Sequence, residues 1–234
     1  MAACLGQEGF RVLLVDADPQ GNSTSGYGID KRRLKYSVYD LFIGKATAQD
    51  AIVHTNFKNV DIICSNMNLA GVEIDLVMMD KREKILKTAL IPVWENYDYI
   101  IIDCPPSLGM ITVNVLTASD TFLVPIQCEY YALEGLSQLM STVRKIKQLF
   151  NPYIALEGVL LTMYDGRLNL TLQVVEEIKK FFPGKVYANT IPRNVRLSEA
   201  PSFGKPVIYY DAYSRGALAY KEFTKEFIRK QNIR

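Results

Sequence analysis

Phe10–Asn22 reads FRVLLVDADPQGN, and the fold follows from how this stretch is built. Val12, Leu13, Leu14 and Val15 form an unbroken apolar run that ends on two carboxylates, Asp16 and Asp18, before a Pro-Gln-Gly-Asn turn. An apolar run with no polar alternation suits a strand buried on both faces, as in a parallel sheet. Acidic side chains at the carboxyl end of such a strand lie where open α/β sheets place their ligands. Asp and Pro also favour tight turns, so a capped strand end accounts for the same residues equally well.

Composition narrows the class. The 234 residues are 49% hydrophobic and 22% charged, the balance of an ordinary globule long enough to bury a core as one α/β domain. No apolar run is long enough to span a membrane, and no signal peptide opens the chain. Cys4, Cys64, Cys104 and Cys128 are scattered without a CxxC pair, which favours reduced thiols over zinc or iron–sulfur ligation. His54 is the single histidine and lies beside no nucleophile motif. Residues 175–234 carry 12 Lys/Arg against 6 Asp/Glu, whereas residues 1–174 carry 15 against 19. A basic C-terminal quarter suits a polyanion contact, and equally a solvated helix face.

Outward from the first strand, helical and extended patterns alternate. MAACLGQEGF reads as the end of a helix stopped at Gly9. Residues 21–28 read as a flexible polar loop, 37–43 and 47–53 as short helices, and 60–64 as a strand. A helix is expected over 80–94 and a strand over 98–103, closed by Cys104-Pro105-Pro106. Further on come a helix (111–117), a strand (121–125), a long amphipathic helix (132–150), a strand (154–163), a helix (168–182), a short strand (186–188) and a last helix (214–230). Nearly all-apolar strands alternating with helices indicate parallel crossovers and a single three-layer α/β domain with an open, mostly parallel sheet.

The second chemical signal is Asp103. Tyr99-Ile100-Ile101-Ile102-Asp103 is an apolar strand ending in an acid, the Walker-B pattern by which P-loop NTPases hold Mg²⁺ near phosphates. With this pattern, VLLVDADPQGNSTSG, YDYIIIDCPPSLG, GVLLTMYDGRLNL and IPRNVRLSEAPSFGKPVIYYDAYSRGA closely resemble the ParA/Soj chromosome- and plasmid-partitioning ATPases. These belong to the deviant-Walker-A class that includes the septum-site protein MinD. The resemblance runs from the first residue to the last.

The resemblance implies a role for each matching residue. Asp18 would position the attacking water, and Asp16 and Asp103 would be the Mg²⁺-side carboxylates. Pro192, Arg193 and Asn194 match the segment lying against the adenine, although a turn leading into a helix would use the same residues. Arg196, Arg215, Lys221 and Lys225 lie in the region the family uses for non-specific DNA, through salt-sensitive phosphate contacts. ATP and Mg²⁺ are the implied cofactors. A ParB-type centromere-binding protein, non-specific DNA and, with ATP, a second copy of the chain are the implied partners. The implied location is cytoplasmic and nucleoid-associated, with no membrane partner.

One departure is large. The family's glycine-rich KGGxGKT[ST] loop and the strand before it have no counterpart, and no GxxxxGK[ST] occurs in these residues. The domain is therefore expected to be incomplete at its N-terminus, with the missing strand belonging between the strands of Asp18 and Asp103. That loop supplies backbone N–H groups and lysines to the phosphates, so ATP binding and hydrolysis are expected to be impaired. A non-catalytic DNA- or ParB-binding relic is the alternative. A MinD-like membrane-cycling regulator would need the last helix, with Leu218, Phe223, Phe227 and Ile228, as an amphipathic anchor.

Overall fold

The computed structural model describes residues 1–129 and 132–232. Helix α1 (Ala2–Gln7) leads into β1 (Val12–Asp16), and Gly9, at φ +102°, makes the turn between them. A side chain at Gly6 would collide with the Lys58 carbonyl, so α1 lies tightly on the backbone around Lys58. Residues 21–28 are not a flexible loop: α2 (Asn22–Gly26) forms there, started by Gly21 in the left-handed region at φ +60°.

Helices α3 (Val38–Phe42) and α4 (Ala48–Ala51) both begin with a capping box, Ser37 with Asp40 and Thr47 with Asp50. The helix expected over 47–53 stops at Ala51, and the chain turns into β2 (Ile52–His54), paired antiparallel with β3 (Val60–Ile63). Two β-branched residues after the helix and a partner in β3 override the helical reading there. After α5 (Val72–Asp75), the helix expected over 80–94 is broken. Only α6 (Ile85–Leu90) is α-helical, flanked by 3-10 turns at Arg82–Lys84 and Ile91–Asn96, the latter holding Pro92.

The second half begins with β4 (Tyr99–Asp103), α7 (Met110–Ala118) and β5 (Thr121–Gln127). It continues through α8 (Ala132–Leu149), β6 (Ala155–Thr162) and α9 (Asn169–Phe181). Residues 186–188 make one isolated bridge, Val159 to Val186, instead of a strand. Helices α10 (Val195–Glu199), α11 (Val207–Tyr210) and α12 (Arg215–Asn232) close the described chain.

The strands form two sheets among the described residues, in the orders β2-β3-β1-β4 and β5-β6. Strand β1 pairs in parallel with both β3 and β4, and Asp16 lies opposite Asp103. This corrects the expected site of a missing strand: the strands carrying Asp18 and Asp103 are direct neighbours with five residues in register. The break in pairing falls instead between β4 and β5, whose outer edges have no ladder partner among the described residues. Two apolar runs of equal length satisfy one another's backbone groups before any third strand is needed.

Side chains of β1 alternate between two cores, as the pleat requires. Leu13 and Val15 pack with α3, α4, α6 and α7 on one face. Val12 and Leu14 pack with Ala2, Leu5, Phe223 and Phe227 on the other. The same cluster reaches Leu160 of β6, so α12 covers residues of both sheets. On the opposite face of the second sheet, Val124, Ile126, Val159 and Leu161 meet α8 and α9.

Three features hold α12 in place. Phe223 is fully buried and meets the Tyr187 ring edge-to-face at 4.9 Å. Phe227 lies 5.7 Å from Tyr99. Glu226 accepts the N–H groups of Ala188 and Asn189, both at 2.9 Å, which ties the helix to the turn after the bridge.

Candidate functional site

The ends of β1 and β4 gather three carboxylates. Ala17 donates its N–H to the Asp103 carbonyl at 2.7 Å, extending the ladder one residue past the paired acids. Pro19 follows Asp18, and the Gln20 N–H closes onto Asp18 Oδ1 at 2.9 Å, an Asx turn of the kind Asp-Pro favours. Asp18 is half-buried at the mouth of this turn.

Asp16 is wholly buried, and its oxygens are engaged by the loop it precedes. Oδ2 accepts both the N–H and the hydroxyl of Thr24 at 2.7 Å, and Oδ1 accepts the Asp18 N–H at 3.3 Å. Thr24 Oγ1 in turn accepts the Ser65 N–H at 2.9 Å, which joins the end of β3 to the site. Ser65 Oγ is buried with no hydrogen-bond partner among the described residues. Ser23, next along α2, donates to Asp103 Oδ2 at 2.7 Å. Two successive hydroxyls thus serve two neighbouring carboxylates. Reading 21–28 as a polar loop missed Ser23 and Thr24; the available signal was a Ser-Thr pair placed to satisfy acids one strand apart.

The electrostatics are unbalanced. Burial raises the Asp16 pKa, the Thr24 hydrogen bonds oppose it, and the Asp103 charge raises it further. Burial also raises Asp103, against the Ser23 hydrogen bond and with repulsion from Asp18. Among the described residues no Lys or Arg forms an ion pair with any of the three, and Lys31 beside the turn donates to the Gln20 carbonyl at 2.7 Å. Burial and the same acids push the Cys104 thiol up to about 11, so it stays protonated and is no nucleophile at neutral pH.

A buried acid with a raised folded-state pKa contributes full stability below its unfolded pKa and loses it as pH rises through the folded one. Asp103→Asn keeps an acceptor for Ser23 and removes the charge. The variant is expected to be more stable than the parent at pH 7, with the gain fading toward pH about 4. Urea midpoints at the two pH values check this, and a variant less stable at pH 7 contradicts it.

The oxygen donors at the crevice are of the kind a hard cation takes: the Asp103 carboxylate with the Ser23 hydroxyl on it, and Asp16 behind, held by Thr24. No group of three or more His, Cys, Asp or Glu among the described residues forms a metal cage, so a cation here would need further ligands from water or substrate.

The Pro192-Arg193-Asn194 segment extends the second sheet. Tyr164 bridges to Pro192 and donates its N–H to Ile191 O at 3.0 Å. Arg193 pairs with Glu129 at 3.1 Å, and Asn194 caps α10 through the Arg196 N–H. The turn at Ala200–Phe203 that follows α10 rests on α2. Gly28 and Gly204 are both left-handed and so close that a Cβ on Gly204 would lie 2.5 Å from Gly28 Cα.

The four basic residues expected to meet DNA do not form one open patch. Arg196 is held by Glu199 at 2.7 Å and Asp211 at 3.2 Å. Lys225 pairs with Glu222 at 2.8 Å, and Lys221 reaches the Ala212 carbonyl at 3.5 Å. Arg215 is exposed and has no ion pair among the described residues. No helix among the described residues is long and apolar enough to cross a membrane. The apolar residues of α12 proposed for an anchor, Phe223 and Phe227, are buried in the core; Leu218 is the exposed one.

Residues 1–156 match the family described as AAA domain. The chain is 58% identical over 226 residues to the sporulation initiation inhibitor protein Soj of Bacillus subtilis, covering 97% of this chain and 89% of that protein. It is 46% identical over 230 residues to the chromosome partitioning protein ParA of Myxococcus xanthus, covering 98% of this chain and 81% of that one. Among solved structures it resembles cobyrinic acid a,c-diamide synthase from Mycobacterium smegmatis with bound ATP analog and magnesium. That likeness has a TM-score of 0.85 and 36% identity, over 99% of this chain and 87% of the other.

Proposed function

The chain belongs to the ParA/Soj family of chromosome-partitioning proteins and has their P-loop NTPase fold, and from that premise we propose that it is an ATP-dependent DNA-binding switch in chromosome or plasmid segregation. The observation that carries the reading is the convergence of Asp16, Asp18 and Asp103 at the ends of two paired parallel strands, with Ser23 and Thr24 holding two of them.

In this reading Asp18 orients the attacking water from the mouth of its Asx turn. Asp103 and Asp16 form the cation side, Asp103 directly at the crevice and Asp16 through the loop it fixes. Mg²⁺, when bound, neutralises charge developing on the phosphates. Pro192, Arg193 and Asn194 line the base, at the end of the second sheet. The exposed cations of α10 and α12 contact DNA phosphates, with a ParB-type protein as regulator and a second copy of the chain as the ATP-bound partner. The protein would act in the cytoplasm on the nucleoid.

The 234 residues hold no glycine-rich phosphate loop, and the three acids repel a triphosphate that nothing offsets. This polypeptide is therefore expected to bind Mg-ATP weakly while keeping salt-sensitive DNA binding. Fluorescence anisotropy of a labelled random duplex at about 50 and about 200 mM salt, with and without Mg-ATP, tests both parts. Affinity that falls steeply with salt and responds to Mg-ATP only well above micromolar concentration is the expected result, whereas DNA binding that ignores Mg-ATP altogether favours the non-catalytic relic over the switch. No binding at low salt overturns the DNA role, and a response to micromolar Mg-ATP overturns the impairment.

A further inference from the structure

Several ion pairs on this surface are single contacts between helix neighbours, such as Lys225 with Glu222 and Lys180 with Glu177. Pairs of that kind are weak and open readily. Arg196 is bound differently. Its guanidinium meets two carboxylates from two separate places, Glu199 at the end of α10 and Asp211 just after α11. Glu199 Oε2 also accepts the Tyr210 hydroxyl at 3.3 Å, and the Tyr210 ring stacks on Phe203 at 4.9 Å.

The acids are held where they are. The Asp211 N–H donates to Val207 O at 2.8 Å, and its carbonyl accepts the Ser214 hydroxyl at 2.9 Å. Asn194 Oδ1 accepts the Arg196 N–H, which fixes the first turn of the same helix. The clamp is thus assembled before any ligand arrives, and together its three charged side chains carry a formal charge of −1. A DNA phosphate approaching Arg196 meets two carboxylates at hydrogen-bond distance from the same guanidinium.

We infer that Glu199 and Asp211 mask Arg196, so that this chain binds the phosphate backbone of duplex DNA fully only when Arg196 leaves the two-carboxylate clamp. The inference rests on the DNA reading above and adds its regulation. Arg215, exposed and without an ion pair among the described residues, supplies contact in the masked state. Release of Arg196 adds a phosphate contact and withdraws local repulsion. The clamp's helix leads directly into the turn that meets the C-terminal end of α2 at Gly28 and Gly204, and α2 is the helix that follows the Asp18 turn.

The test is equilibrium binding of the 234-residue chain to a labelled random duplex across a salt series. Five proteins are compared: the parent, Asp211→Asn, the double variant Glu199→Gln/Asp211→Asn, that double variant with Arg196→Ala, and Glu177→Gln. Circular dichroism confirms that each is folded, and Asp211→Asn alone keeps the design usable if the double variant is not. The double variant is expected to bind roughly tenfold tighter than the parent near 50 mM salt, with a log–log salt slope steeper by about one. Adding Arg196→Ala should cancel that gain. Glu177→Gln removes one acid from an ordinary helix pair whose lysine, Lys180, is not among the expected DNA contacts, and should change affinity by less than about twofold. A parent that binds while the clamp variants bind no better overturns the mask and leaves the DNA reading standing. A gain equalled by Glu177→Gln, or surviving Arg196→Ala, overturns the mask as well. Absence of binding in every protein overturns the DNA reading and the mask with it.

Discussion

Phe223→Ala is expected to lower the stability of this chain by about 3–5 kcal/mol, the range for deleting a fully buried aromatic side chain. Phe223 is wholly buried, packs edge-to-face on Tyr187, and belongs to the cluster joining Leu14 and Ile62 of one sheet to Leu160 of the other. Its loss therefore opens a cavity and loosens the helix that spans the two sheets. Domain stabilities are commonly about 5–15 kcal/mol, so the variant would sit near the limit of folding. Leu218→Ala, on the same helix but nearly half exposed, should stay within about 0.5 kcal/mol of the parent. Urea denaturation followed by circular dichroism measures both, and similar values for the two would show that α12 is not what joins the sheets.

Thr24→Val carries the second large effect. The substitution keeps size and removes one hydroxyl that serves two buried groups, donating to Asp16 and accepting from the Ser65 N–H. Each orphaned buried group costs about 1–3 kcal/mol, so a loss of about 3 kcal/mol is expected. Thr88→Val provides the comparison, because the Thr88 hydroxyl donates to Lys84 O on an exposed helix surface and should matter little. Equal urea midpoints for the two valine variants would mean that the Asp16–Thr24–Ser65 chain does not hold the loop. Asp18 is expected to suffer with Thr24, since its turn begins two residues beyond the carboxylate that Thr24 fixes.

The strands were legible because they are long, apolar and bounded by turn residues: β1, β3, β4 and β6 fall within their expected stretches, and β5 runs two residues past the 125 expected for its end. β2 was not, since three residues following a helix carry no period of their own, and only β3 gives them a partner. Alternation of strands and helices predicts parallel crossovers but says nothing about which strand neighbours which. That is why the gap was expected between the strands of Asp18 and Asp103, although those two strands pair. At the site, Asp16, Asp18 and Asp103 could be picked out because two apolar strands both end in acids, within motifs that resemble the ParA/Soj family. Ser23, Thr24 and Ser65 could not, because their partners are 80, 8 and 41 residues away and only the folded chain brings them together. The same holds for Arg196, whose basic character was plain but whose two carboxylates came from separate turns.

The edges of β4 and β5 that have no ladder partner among the described residues also bear on how this chain behaves in concentrated solution. Each edge carries backbone donors and acceptors along an apolar, β-rich run, that of β4 ending on Asp103, and such an edge is the template on which chains add to one another. The two are not equally open. Pro125 lies inside β5 and has no N–H to offer, so a strand docking there meets an interrupted ladder. β4 has no proline between Tyr99 and Asp103, and the prolines at 105 and 106 come only after it ends. Of the two, β4 is therefore the edge along which copies of this chain would first stick together, and its guard is the negative charge at its far end: Asp103 repels a second Asp103 brought alongside it.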